Sequence, residues 1–236
     1  MLVAICFVAF FSCKKVHQSS GDWTRNYFPL KFGKYVTYAV DSVYYFGSAG
    51  LKIEVKSQMK YVITDTFTDS KRRLSYIMDV YSRPYDGALW VPHRVITITP
   101  TTTPTSSLLY TQDGTQYVKL MFPIAEGTTW PGNQYAQWQD TSWAYLKNWT
   151  YQYDRVHLSY FNGLVNFDNT VTVLEDNENV NYQNVDSAVA GYNTFAKEVY
   201  AYNVGMIYKE WTHTTWIDSA KNRSGYSVVM QAIDYN

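Results

Sequence analysis

Cysteine is almost absent from this sequence. Its 236 residues include only Cys6 and Cys13, and both lie at the N-terminus. The rest of the chain therefore has neither a free thiol nor a disulfide, which excludes cysteine-nucleophile catalysis and zinc-thiolate sites there. Stability of the folded part must come from a hydrophobic core.

Charged residues are also scarce and carry no net charge. They make up 17% of the chain, and 20 Lys and Arg balance 20 Asp and Glu. A balanced chain has no overall field that would attract nucleic acid. We therefore expect no nucleic-acid partner.

Motifs for catalysis and metal binding are missing as well. The sequence has no GxSxG of serine hydrolases and no phosphate-binding P-loop. Its four histidines lack HxH or HExxH partners, so neither a metal nor a cofactor is indicated. The acidic stretch Glu175–Asn179 lacks the spacing of a calcium loop and is predicted to be a solvated turn. These observations favour a protein that is not an enzyme.

The first 15 residues, MLVAICFVAFFSCKK, form the most distinctive stretch. Residues 2–11 are all apolar, which is about half of the roughly 20 residues that cross a bilayer but matches the core of a secretory signal. Ser12 and Cys13 follow, as in a lipoprotein signal peptide cut before the cysteine. The absence of a basic residue before the run, and Phe11 near the cut, depart from that pattern. The alternative is a buried N-terminal strand that ends in a free cysteine.

The signal interpretation gives the N-terminal region three parts. Residues 1–12 are the removed signal peptide, Cys13 carries the lipid, and residues 13–26 form a polar tether. Two or more acyl chains anchor a protein stably, so the first expected partner is a bacterial membrane. We expect an outer-membrane lipoprotein of the cell envelope. No acidic cluster follows Cys13, which favours the periplasmic side over the cell surface.

Aromatic residues are abundant at 18%, with 23 Tyr and 8 Trp. These residues favour strands, and short runs of alternating polarity are separated by turn signals such as Asp113-Gly114 and Asn162-Gly163. The pattern predicts a single all-β domain over residues 27–236 with about ten antiparallel strands. It is either a barrel, lipocalin-like or partly open, or a two-sheet sandwich. Only residues 185–199 are a candidate helix.

An aromatic belt between Trp130 and Tyr153 is the most suggestive candidate for a ligand site. On a regular strand, Trp143, Tyr145, Trp149, Tyr151 and Tyr153 would share one face. Such a face either stacks on a ligand or is part of the core. The candidate ligand-binding residues are Trp138, Trp143, Tyr145, Trp149 and Tyr151.

Three segments carry a family resemblance. They are YFPLKFGKYVTY at 27–38, KLMFP at 119–123 together with WPGN at 130–133, and VGMIYKE at 204–210. With the N-terminus, they resemble a group of Bacteroidetes-type lipoproteins of uncharacterised function, although Val36 stands where that pattern often has Trp. The resemblance implies an exported, anchored β domain and brings no catalytic residues.

The sequence leaves three functions open. The first is non-enzymatic ligand binding or envelope assembly by an anchored lipoprotein. The second is a carbohydrate-binding or carbohydrate-active protein that uses the aromatic belt. The third is a structural or interaction subunit. The corresponding partners, besides the membrane, are a small molecule, a glycan or an envelope protein.

Overall fold

The chain folds into an antiparallel β structure in a computed structural model that describes residues 26–47, 50–102, 105–136, 141–181, 190–217 and 222–236. Within these ranges there are twelve strands and one short 3₁₀ helix. The strands are β1 (Tyr35–Phe46), β2 (Lys52–Thr68), β3 (Leu74–Arg83), β4 (Val91–Thr101), β5 (Ser107–Gln112), β6 (Thr115–Met121), β7 (Thr129–Pro131), β8 (Thr150–Phe161), β9 (Asn166–Val180), β10 (Ala190–Ala201), β11 (Gly205–Ile217) and β12 (Arg223–Tyr235), and the helix is Thr141–Leu146.

All twelve strands belong to one sheet, in the order β6-β5-β4-β3-β2-β1-β12-β11-β10-β9-β8-β7. Its two edge strands, β6 and β7, contact each other through hydrogen bonds. The backbone N–H of Val118 donates to the carbonyl of Gly132 at 2.8 Å, and the Trp130 indole donates to the Val118 carbonyl at 2.7 Å. The sheet is therefore a nearly closed barrel. This confirms the predicted antiparallel barrel, rather than the sandwich, with twelve strands instead of about ten.

The barrel has two ends that differ in what covers them. The Asp113-Gly114 turn joins β5 to β6, and both of its residues have positive φ (50° and 77°), as an Asp-Gly hairpin requires. The 3₁₀ helix lies at the same end, between β7 and the start of β8, and we call this end the mouth. The opposite end carries the first described residue, Asn26, whose carbonyl accepts from Asn203 N–H at 2.6 Å.

Buried side chains from all around the barrel meet in its interior. Tyr38 of β1, Ile96 of β4, Val173 of β9 and Met230 of β12 belong to one buried cluster. Because strand side chains alternate between the two faces, this cluster accounts for the alternation in the sequence.

Two local predictions are wrong. Residues 190–199 of the candidate helix form β10, which pairs on both sides with β9 and β11. Sheet pairing has outweighed any helix propensity there. The stretch Glu175–Asn179, predicted as a solvated turn, belongs to β9, and Glu175 is buried.

The N-terminal boundaries stay predictions. The signal peptide at 1–12, Cys13 and all but the last residue of the 13–26 tether lie outside the described residues.

Candidate functional site

A cavity of about 750 Å³ occupies the barrel interior. Its wall comes from strands on opposite sides of the barrel, including Tyr38 of β1, Tyr61 of β2, Tyr110 of β5 and Tyr200 of β10. Ligand pockets typically measure roughly 300–1,000 Å³. The cavity is therefore large enough for a small molecule.

Strand alternation explains which side chains reach the cavity. In β6, Thr115, Tyr117 and Lys119 line it, while Gln116 and Val118 between them do not. Across the hairpin, Gln112 is paired with Thr115 and lines the cavity too, whereas Thr111 does not. The period of two residues sends every second side chain inward.

Four charged side chains, which we call the charge cluster, meet on this wall: Lys119, Glu175, Glu198 and Lys209. Lys119 Nζ donates to Glu175 Oε1, and to Glu198 Oε1 at 2.8 Å. Lys209 Nζ donates to the same Glu198 oxygen at 2.8 Å, and the Tyr200 hydroxyl donates to Glu198 Oε2. The side chains of Lys119, Glu175 and Glu198 are only 7%, 1% and 3% exposed, and that of Lys209 is 18% exposed. Most of the cluster is thus removed from bulk water.

The two glutamates experience different electrostatic surroundings. Burial alone would raise the pKa of Glu198, but Lys119 and Lys209 outweigh burial and hold that pKa below its usual range. Burial raises the pKa of Glu175, and the negative charge of Glu198 raises it further, while Lys119 and, to a smaller extent, Lys209 lower it. The ionised form is therefore strongly stabilised in Glu198 and less stabilised in Glu175.

Lys119 stays charged in spite of its burial. Burial would lower its pKa, but Glu175 and Glu198 together raise that pKa well above its usual value. With all four groups ionised, two positive and two negative charges compensate one another.

Aromatic rings surround Lys119. The centroids of the Tyr110, Tyr117 and Tyr151 rings lie 5.8, 5.8 and 5.7 Å from its Nζ, within the range of cation–π attraction. Burial raises the pKa of Tyr110 and Tyr151 well above the usual value, so both phenols stay neutral. This part of the wall combines ring faces with neutral hydroxyl groups.

The exposed part of the cavity lining lies at the mouth. Trp143 of the 3₁₀ helix is 41% exposed. Arg94 donates to Asp113 Oδ2 at 3.0 Å, and the Asp113 side chain is largely exposed. The cavity therefore opens between the β5–β6 turn and the helix.

The 3₁₀ helix is fixed to β11 by ring stacking. The Tyr145 ring lies on the His213 ring with centroids 3.5 Å apart and planes inclined by 5°. His213 Nδ1 is also hydrogen-bonded to Thr194 Oγ1 at 2.9 Å. This contact holds the helix over one side of the mouth.

The structure brings three of the predicted ligand-binding residues to the cavity: Trp143, Trp149 and Tyr151. Trp149 is buried and donates to the Tyr145 carbonyl at 2.8 Å, while Tyr145 itself stacks on His213 away from the lining. Trp138 and the predicted lipidation site Cys13 lie outside the described residues. The belt thus contributes to both the core and the cavity.

The common strand face that we expected for these aromatic residues is wrong. Residues 141–146 form the 3₁₀ helix, and β8 begins only at Thr150. Tyr151 and Tyr153 of β8 do share the inner face, and both are buried. Tyr151 packs tightly on Gly132, where an added Cβ would come within 2.4 Å of the ring.

The charge cluster was missed from sequence. Lys119 is separated from Glu175 by 56 residues and from Glu198 by 79, so no local spacing marks the contacts. The one usable signal was an inward position in a strand, because Lys119 shares the parity of Thr115 and Tyr117. A lysine at an inward position requires a buried partner.

No metal site emerges from the described part of the chain, where no group of three or more His, Cys, Asp or Glu side chains could hold an ion. The described histidines take part in separate contacts: His93 bonds to Arg94, His157 bonds to Tyr27, and His213 lies under Tyr145. Over the same ranges, no helix has the length and apolar character of a membrane span.

Comparisons with known proteins give one structural match. No protein-family model and no curated protein matches the chain. A crystal structure of a Bacteroides fragilis protein, described as exported and as having a YmcC-like fold, matches with a TM-score of 0.33 and 12% sequence identity. The match covers 88% of this chain and 98% of that protein.

Proposed function

We propose that this protein is an exported, membrane-anchored lipoprotein that binds a small molecule inside its β barrel. The observation that carries the binding function is the cavity of about 750 Å³, which opens at the mouth and contains a buried charge cluster. A wall rich in aromatic side chains, with a few convergent polar groups, is the usual composition of a ligand site.

Binding is favoured over carbohydrate hydrolysis by the state of the two carboxylates. A glycosidase needs one carboxyl group as an acid and another as a base or nucleophile. Glu175 and Glu198 line the cavity together, but both accept hydrogen bonds from Lys119, and Glu198 accepts a second one from Lys209. One oxygen of each carboxylate is thus bonded to lysine, and the second oxygen of Glu198 accepts from Tyr200, which supports a non-enzymatic role.

A purely structural subunit is disfavoured by the same interior. A barrel that only supports neighbouring proteins gains nothing from a cavity, because closely packed side chains would stabilise it better. Buried charges in that cavity add a desolvation cost. Their retention next to open space supports a role in binding.

Export and anchoring rest on the Cys13 signal. The chain enters the barrel at Asn26, at the end opposite the mouth. The 12 residues between Cys13 and Asn26 let these two residues lie at most roughly 45 Å apart when the chain is extended. An anchor at Cys13 would thus hold the barrel near the bilayer with its mouth directed away from the lipid.

The first test fills the mouth. Thr115→Trp places an indole in the cavity lining, and Thr111→Trp places the same indole on the outer face of the adjacent strand. We expect 2-naphthol to bind the wild-type full chain in nanodiscs with a stoichiometry of one, and to bind Thr115→Trp at least about tenfold more weakly, a loss of about 1.4 kcal/mol. Isothermal titration calorimetry, with empty nanodiscs as the blank, measures both affinities.

Thr111→Trp serves as the matched control and should bind 2-naphthol like the wild type. Equal loss in both variants would show that the added indole disturbs the hairpin and not the cavity. No loss in Thr115→Trp, or no binding to the wild type, would contradict the proposed function.

The anchor is tested separately in the native cell. Cys13→Ser removes the atom that would carry the lipid, so we expect the protein to lose palmitate label and to leave the membrane pellet for the soluble fraction. Ser19→Ala, in the predicted tether, should stay labelled and sedimenting. An unlabelled wild-type protein whose intact mass starts at Met1 would contradict the anchor and leave the cavity function untouched.

A further inference from the structure

We infer that the cavity selects a neutral ring compound that carries a hydroxyl group, and that it discriminates against ions. This inference rests on the proposed binding function of the same cavity. It follows from the way the charges of the wall are paired and from the groups that remain between them.

The charges of the cavity wall are already compensated. Among the described residues, seven charged ones line the cavity, and six of them form ion pairs with one another. Arg94 pairs with Asp113 at the mouth, and the remaining four form the charge cluster. The seventh, Lys34, immediately precedes β1 and so lies at the end opposite the mouth. The described part of the wall that faces an incoming ligand therefore offers no unbalanced charge.

The pairing of these charges makes the binding of an ionic ligand unfavourable. It would bring an unpaired charge into a site where Glu175 and Glu198 are almost completely buried, and desolvation of a single ion costs several kcal/mol in real proteins. Lys119 Nζ already donates to both glutamates, so an anion that approached Lys119 would also meet their two negative charges. A neutral ligand avoids both costs.

The groups between the charges fit a hydroxyl-bearing ring. Tyr61, Tyr110 and Tyr117 line the cavity, and each combines an aromatic ring with a phenol that can both donate and accept a hydrogen bond. Burial raises the pKa of Tyr61 to about 12, so its hydroxyl stays protonated. Trp149 and Trp211 add two more ring faces, with centroids 5.8 Å apart.

The selectivity against anions depends on the negative charge of Glu175. It neutralises one of the two lysines of the cluster, while Glu198 already bonds to both. Glu175→Gln keeps the size of the side chain and leaves one positive charge uncompensated. The variant should therefore accept an anion that the wild type rejects.

The experiment compares two probes that differ in charge. 2-Naphthol is neutral, and naphthalene-2-sulfonate has the same ring with an anionic group. Calorimetric titration of the full chain in nanodiscs should show the wild type binding the naphthol at least about tenfold more tightly than the sulfonate. In Glu175→Gln this ratio should fall by about tenfold or more. Glu210→Gln removes a carboxylate that pairs with Lys197 and does not line the cavity, so it should keep the wild-type ratio.

The wild-type comparison decides the inference even if Glu175→Gln does not fold. Sulfonate binding as tight as naphthol binding would overturn it. If Thr115→Trp still removed both probes in that case, the cavity function would stand without the selectivity. Probe binding that Thr115→Trp does not affect would instead contradict the cavity function itself.

Discussion

Replacing Lys119 with methionine should lower the free energy of unfolding by about 3–5 kcal/mol, the range seen when one partner of a buried ion pair is removed. Lys119 is the only lysine of the charge cluster that bonds to both glutamates among the described contacts. Methionine nearly preserves the side-chain length but leaves Glu175 without its lysine. Denaturant unfolding followed by tryptophan fluorescence measures the loss.

Lys197→Met is the matched control for this substitution. Lys197 pairs with Glu210 at 3.5 Å, and their side chains are 23% and 32% exposed. Partly exposed pairs of this kind contribute roughly 0–1 kcal/mol. Equal losses in Lys119→Met and Lys197→Met would show that the charge cluster is not buried as described.

Substitutions of the two glutamates should differ in their effect on stability. Glu198→Gln should lower the free energy of unfolding by about 3 kcal/mol, because it leaves Lys119 and Lys209 with Glu175 as their one carboxylate partner in the cluster. Glu175→Gln should cost less than about 1 kcal/mol at neutral pH. Lys119 keeps Glu198 as its partner, burial already disfavours the charge on Glu175, and the positive charge left over is shared with the partly exposed Lys209. The same unfolding experiment compares the two variants. A larger loss for Glu175→Gln would contradict our assignment of their roles.

The two glutamates should also differ in their pH dependence. The folded-state pKa of Glu198 is held below that of an unfolded glutamate, so its contribution is present above the unfolded pKa of about 4.3 and is lost as the pH falls below it. The folded-state pKa of Glu175 is raised, so its contribution is present below about pH 4.3 and is lost as the pH rises through the folded pKa. Glu198→Gln should therefore flatten the acid side of the stability profile. Glu175→Gln should flatten the stability profile above about pH 4.3, where the contribution of Glu175 is lost in the wild type.

The fold could be predicted because its determinants are local. Alternating aromatic and β-branched residues indicated strands, and Asp113-Gly114 fixed a hairpin by its backbone conformation alone. The barrel rather than the sandwich could not be derived, because it depends on pairing between strands far apart in the sequence. An example is β1 with β12, where Val36 pairs with Tyr235.

The candidate site was only partly predictable. The aromatic belt pointed to Trp143, Trp149 and Tyr151, which line the cavity, but parity failed where the chain turns into a 3₁₀ helix. Glu175 was hidden in an acidic, Asn-rich stretch that is typical of solvated turns. Glu175 is buried because β9 pairs with β10 and because Lys119, 56 residues earlier in the chain, bonds to it. The stretch itself predicts neither contact.

A crystal structure of the protein grown with 2-naphthol would show whether the barrel binds a ligand in its interior. We expect electron density for the ring inside the barrel, in contact with Tyr61 and Tyr110, with the Lys119–Glu175 and Lys119–Glu198 pairs intact. Density for the ring only on the outer surface, or an interior filled by side chains that leave no space for it, would contradict binding in the cavity.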